Sequence, residues 1–153
     1  MVASAWLIHA LSWFIPVVKL GGAHSDIFSP IRGWVAFRVA LSPVLPYGGM
    51  HTDAWYYSAL SVISAATTFL FIVGSPLVAW SGLQRFRRVS AWIATLAFTV
   101  NSHWYFLFGS DRKALSVGYF LWWLSFGLLA TGLFGLSSDR NVDQTPAGDP
   151  HGS

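Results

Sequence analysis

Four stretches of this 153-residue chain, 1–18, 54–84, 89–110 and 114–138, contain no Asp, Glu, Lys or Arg. A helix that crosses a bilayer needs about 17–25 predominantly apolar residues, and each stretch is long enough. That pattern predicts a small multi-pass membrane protein. The composition agrees, with 54% hydrophobic and 10% charged residues, where soluble domains carry about 25% charged. The nine basic residues are scattered over the connections, without the one-sided basic stripe of a nucleic-acid binder. The absence of Cys excludes thiol chemistry and disulfides. There is no Glu either, and all six Asp lie outside the apolar runs.

The expected fold is all-α: a four-helix transmembrane bundle with spans at about 2–19, 54–80, 89–109 and 114–136. The first run could also be a signal peptide, with Gly21-Gly22-Ala23 as a small-residue cleavage site. Against that reading, no basic region precedes it, and Trp6, Trp13 and Pro16 interrupt the apolar stretch. In the first connection, Ser29-Pro30 starts a helix and Ser42-Pro43 stops one. The segment between is too short to span, and its Trp34, Phe37, Arg32 and Arg38 suit an interfacial helix over 30–42. Residues 137–153 hold Pro, Gly, Asp and Ser with few apolar side chains, which predicts a disordered tail.

Four spans put both ends on one side. Arg85, Arg87 and Arg88, with Arg140, mark that side as cytoplasmic. Lys19, Arg32, Arg38, Arg112 and Lys113 then fall on the opposite side.

Small and polar residues recur at helical spacing. Ala5, His9, Ser12 and Pro16 form one stripe, and Ser58, Ser61, Ala65 and Thr68 a second. Thr95, Thr99, Ser102 and His103 form a third, and Gly127, Thr131 and Gly135 a fourth. In lipid such stripes let helix backbones approach closely, so they are read as packing seams. His9, Asn101, His103 and Thr99 are the candidate intramembrane polar contacts. Polar groups at that depth are costly, and they serve either as interhelical glue or as functional groups. His9 and His103 would also permit bis-His haem ligation. His24, Asp26, His51 and Asp53 could form a loop metal site, although ordinary polar loop chemistry is the preferred reading. The residues themselves call for no metal and no cofactor.

No phosphate-binding loop, HExxH, GxSxG or CxxC motif occurs, and no carboxylate lies within an apolar run. The chain is therefore expected not to be an enzyme, nor a carboxylate-driven proton-coupled exporter.

The segments Gly33-Trp34-Val35-Ala36-Phe37, Ser75-Pro76-Leu77, Arg85–Arg88 and Gly118-Tyr119-Phe120-Leu121-Trp122-Trp123-Leu124-Ser125-Phe126 carry a resemblance. The chain resembles small bacterial membrane proteins with four spans, in which a Gly-Trp-x-Ala-Phe loop and a Gly-Tyr-x-Leu-Trp-x-x-Ser-Phe last span recur. The resemblance implies a bacterial inner-membrane location and a four-span topology, and brings no activity with it. The expected role is a non-enzymatic membrane component that binds a membrane-protein partner or lipid, of the accessory or immunity type. The alternatives are a homo-oligomeric transporter or channel, and a haem- or quinone-binding electron-transfer subunit.

Overall fold

The computed structural model describes residues 1–19, 30–45, 55–80 and 84–138. Residues 139–153 of the expected tail lie outside them, as do His24, Asp26, His51 and Asp53. Most of the described chain is helical. In order it forms α1 (Val2–Phe14), β1 (Pro16–Val18), β2 (Ile31–Arg32), α2 (Gly33–Ala40) and α3 (Trp55–Trp80). Then come α4 (Gln84–Asn101), α5 (His103–Leu107), a 3-10 turn (Gly109–Ala114) and α6 (Val117–Ser138). Two of these helices, α3 and α6, are long and apolar enough to cross a membrane.

The helix expected over 2–19 ends at Phe14, and the cause is local. Pro16 disfavours the helical region for the residue before it, and Ile15 is extended at φ −89° and ψ 145°. The chain then runs on as β1, which pairs antiparallel with β2, Pro16 opposite Arg32 and Val18 opposite Ile31. A bridge from Val18 to Leu115 ties the pair to the start of α6. Lys19 N–H donates to the Ala114 carbonyl at 2.7 Å, and Ser116 N–H to the Val17 carbonyl at 2.9 Å. Non-helical backbone at the end of an apolar bundle needs partners of this kind.

The third apolar run also differs from one smooth span. It is helical from Gln84, breaks at Ser102 and resumes as α5. Thr95, Thr99 and Ser102 donate their hydroxyls to the carbonyls of Ala91, Thr95 and Thr99. Such back-bonding bends helices. By contrast, α3 runs through Pro76 to Trp80. Arg87 covers its last turn, donating to the Ala79 carbonyl at 3.2 Å, an orphan acceptor at a helix C-terminus.

The long helices alternate in direction. Gly118 faces Pro16 while Gly132 faces Val2, so α1 and α6 are antiparallel. Trp123 bonds the Phe98 carbonyl and Trp92 meets Phe134, so α4 and α6 are antiparallel too. Met1, Trp80, Arg87 and Ser137 therefore gather at one end, and the strand pair closes the other. The core lies where α6 packs against α1 and α4, around Ala5, Ala91, Ala94, Phe126, Leu129 and Leu133.

Candidate functional site

α3 touches α1 and α6 only lightly, and small side chains of α3 line the gap. Ser61, Ser64, Ala65 and Thr68 line one wall of a cavity of about 320 Å³. The end of α1, the strand pair, α2, α5 and the start of α6 supply the rest. Its volume is at the lower end of the roughly 300–1,000 Å³ of small-molecule sites. The lining is mostly apolar, with Val17, Val18, Ile31, Ala36, Phe37 and Leu115 at the strand-pair end.

Hydrogen bonds hold the wall in place. Asn101, fully buried, accepts from Ser64 Oγ at 2.6 Å and donates to Thr67 Oγ1 at 2.9 Å. Tyr119 of α6 donates to the Asn101 carbonyl at 3.1 Å. Two indoles bridge to α3: Trp104 to Ser64 Oγ at 3.3 Å, and Trp122 to Thr68 Oγ1 at 3.1 Å. Ser12 and Thr68 spend their hydroxyl protons on the carbonyls of His9 and Ser64. The lining hydroxyls of Ser12, Ser64 and Thr68 therefore donate within the protein, and the cavity suits an apolar guest.

Of the four candidate polar contacts, Asn101 is the one that joins two helices around this cavity. His9 is buried in the core, its Nδ1 2.9 Å from Ser125 Oγ and its ring stacked on Phe71 at 4.1 Å with Phe126 at its edge. The Ser125 hydroxyl donates to the Trp122 carbonyl, so His9 Nδ1–H must be the donor between them. His103 donates from Nδ1 to the Val100 carbonyl three residues before it and, among the described residues, forms no hydrogen bond to α1, α3 or α6. Both Nε2 atoms are buried without a partner among the described residues. Neither ring lines the large cavity, nor the smaller one of about 100 Å³ between α3 and α4. Among the described residues no group of three metal-ligating side chains occurs. Thr99 is exposed and bonds Thr95 of its own helix.

The seams divide in the same way. Ala5, His9 and Ser12 are the buried residues of α1. On α4 the buried line is Ala91, Ala94, Ala97 and Asn101, not the threonines. On α6 a Cβ at Gly127 would meet only the Phe98 side chain, at 3.3 Å, and Thr131 and Gly135 are exposed. The close backbone approach is instead at Gly118, where a Cβ would lie 2.5 Å from the Pro16 carbonyl oxygen. Gly33 makes a similar approach to the Ser12 carbonyl.

Trp104, Tyr119 and Trp122 all line the cavity, and the sequence alone assigns them no role at a site. A usable signal was the buried amide: Asn101 needs partners on a neighbouring helix, and Ser64 and Thr67 are spaced to supply them.

His9 is expected to act by filling space. His9→Ala should destabilise by about 2–4 kcal/mol, because it opens a cavity between Phe71 and Phe126. His9→Phe keeps the ring and should stay within about 1 kcal/mol of the parent, the scale of one interhelical hydrogen bond. Thermal unfolding of both variants in mild detergent measures the difference.

No protein-family model, curated protein or solved structure matches this chain.

Proposed function

We propose that this chain is an integral membrane protein of four crossing elements that holds a membrane-dissolved apolar molecule, of lipid class, in the cavity beneath α2. The observation that carries it is where the large apolar side chains lie. Leu7 and Leu11 of α1 and Phe69, Leu70, Val73 and Leu77 of α3 are exposed. So are Val89, Trp92, Ile93 and Leu96 of α4, and Phe120 and Leu124 of α6. Only 28% and 39% of the most apolar windows of α3 and α6 are buried. A soluble core helix would hide most of that surface, whereas a bilayer accepts it.

The shorter elements reach the needed length in combination. The 13 residues of α1 rise about 20 Å, and three extended residues of β1 add about 10 Å, matching a hydrocarbon core of about 30 Å. α4 and α5 together rise about 35 Å. The alternating helix directions put the Arg85–Arg88 segment and both helix ends near Met1 and Ser138 on one face, read as cytoplasmic in the inner membrane of a bacterium. The mostly apolar lining supports reading the cavity as a binding site.

Compartment reporters placed after Arg88 and after Ser138 should agree, and one placed after Lys113 should report the opposite side. Agreement of all three would sink the topology. Solvent extraction of the purified protein should return bound lipid in near-equimolar amount. That lipid should be lost in Ser61→Phe, which fills the cavity.

A further inference from the structure

We propose that the cavity takes one acyl chain of an anionic phospholipid, with its phosphate held by Lys19, Arg32 and Lys113. This rests on the lipid-class reading above and names the headgroup. The three cations are remote in sequence and are brought together by backbone pairing. Lys19 N–H bonds the Ala114 carbonyl next to Lys113, and Arg32 pairs with Pro16, three residues before Lys19.

Each cation also flanks residues of the cavity wall. Lys19 follows Val18, Arg32 stands between Ile31 and Gly33, and Lys113 precedes Leu115 by two positions. All three are exposed. The neighbouring Arg112 is engaged elsewhere, donating to the Tyr105 carbonyl and lying over the Tyr105 ring.

Charge and depth fit the same guest. Exposed cations flank the wall in sequence and the lining is mostly apolar, which suits a phospholipid with its phosphate outside and its chain inside. From Ser61 to Thr68 the α3 wall descends roughly 10 Å, enough for the upper part of one chain. The second chain stays in the bilayer. Long Lys and Arg side chains reach the phosphate level from such positions, and cations there favour anionic lipid.

The test uses native mass spectrometry of the full chain in mild detergent. Dioleoyl phosphatidylglycerol and dioleoyl phosphatidylcholine, identical in their chains, are added in equal amounts. The expected result is retention of the anionic lipid by about tenfold or more over the zwitterionic one. The triple variant Lys19→Gln, Arg32→Gln, Lys113→Gln should erase that preference, with the larger loss falling on phosphatidylglycerol. Ser61→Phe and the milder Ala36→Leu should lower retention of both lipids, with helical content by circular dichroism as the check on folding. Equal retention of the two lipids by the parent, both lost on filling the cavity, overturns the headgroup assignment and keeps the cavity reading. A preference that survives in the triple variant also overturns the assignment. Retention indifferent to both cavity-filling variants overturns the cavity reading itself.

Discussion

Asn101→Leu is expected to destabilise the folded protein by about 1–3 kcal/mol. The residue is fully buried and joins α4 to α3 through Ser64 Oγ and Thr67 Oγ1. Hydrogen bonds between membrane helices are worth about 0.6–1.7 kcal/mol each, and two are lost. The substitution reaches the cavity as well. Ser64 Oγ receives the Trp104 indole N–H at 3.3 Å while donating to Asn101, so its hydroxyl is freed to turn towards other acceptors. Thr99→Val, on the exposed face of the same helix, should change stability by less than about 0.5 kcal/mol. Unfolding of the two variants in the same detergent separates them. Equal losses would mean that the α3–α4 contact is held by packing alone.

Gly118→Ala should be strongly destabilising for a single added methyl. Its Cβ would stand 2.5 Å from the Pro16 carbonyl oxygen and 2.8 Å from that of Ile15. Both are backbone atoms at the point where the chain leaves α1, and Ser116 and Lys19 bond the same segment across the strand patch. Relief therefore requires α1 to move away from α6, an overpacking cost of about 1–3 kcal/mol. Gly135→Ala is the matched control on the same helix. A Cβ there meets nothing within 4 Å, and the change gains up to about 1 kcal/mol of helix propensity. Chemically identical substitutions should thus differ by about 2 kcal/mol or more. A similar melting temperature for both would displace the α1–α6 contact from Gly118.

The two positions show where one-dimensional reading stops. Gly127, Thr131 and Gly135 repeat at four-residue spacing and look like a seam, but spacing names a face without naming its neighbour. In three dimensions that face meets a movable Phe98 ring at one position and is exposed at the other two. Thr95, Thr99 and Ser102 mislead for a related reason. A hydroxyl can satisfy itself on its own helix, so a polar stripe need not face a partner. An amide is harder to satisfy within its own helix, which is why Asn101 carried more information than the threonines around it.

What the sequence by itself determined is the class of the molecule. The charge-free apolar runs predict a mostly helical chain, and two of its helices, α3 and α6, are long and apolar enough to cross a membrane. It also marked Ala5, His9 and Ser12, whose shared face is the buried one. Only the tertiary structure decided that the chain after Phe14 leaves the helix for a strand paired with residues 31–32 and bridged to Leu115. The same holds for the gap between α3 and α6 that leaves a cavity. Those outcomes depend on backbone partners distant in sequence and on which small side chains happen to oppose one another. Hydrophobic periodicity is silent on both, because it records how a residue meets its solvent and not which residue it meets.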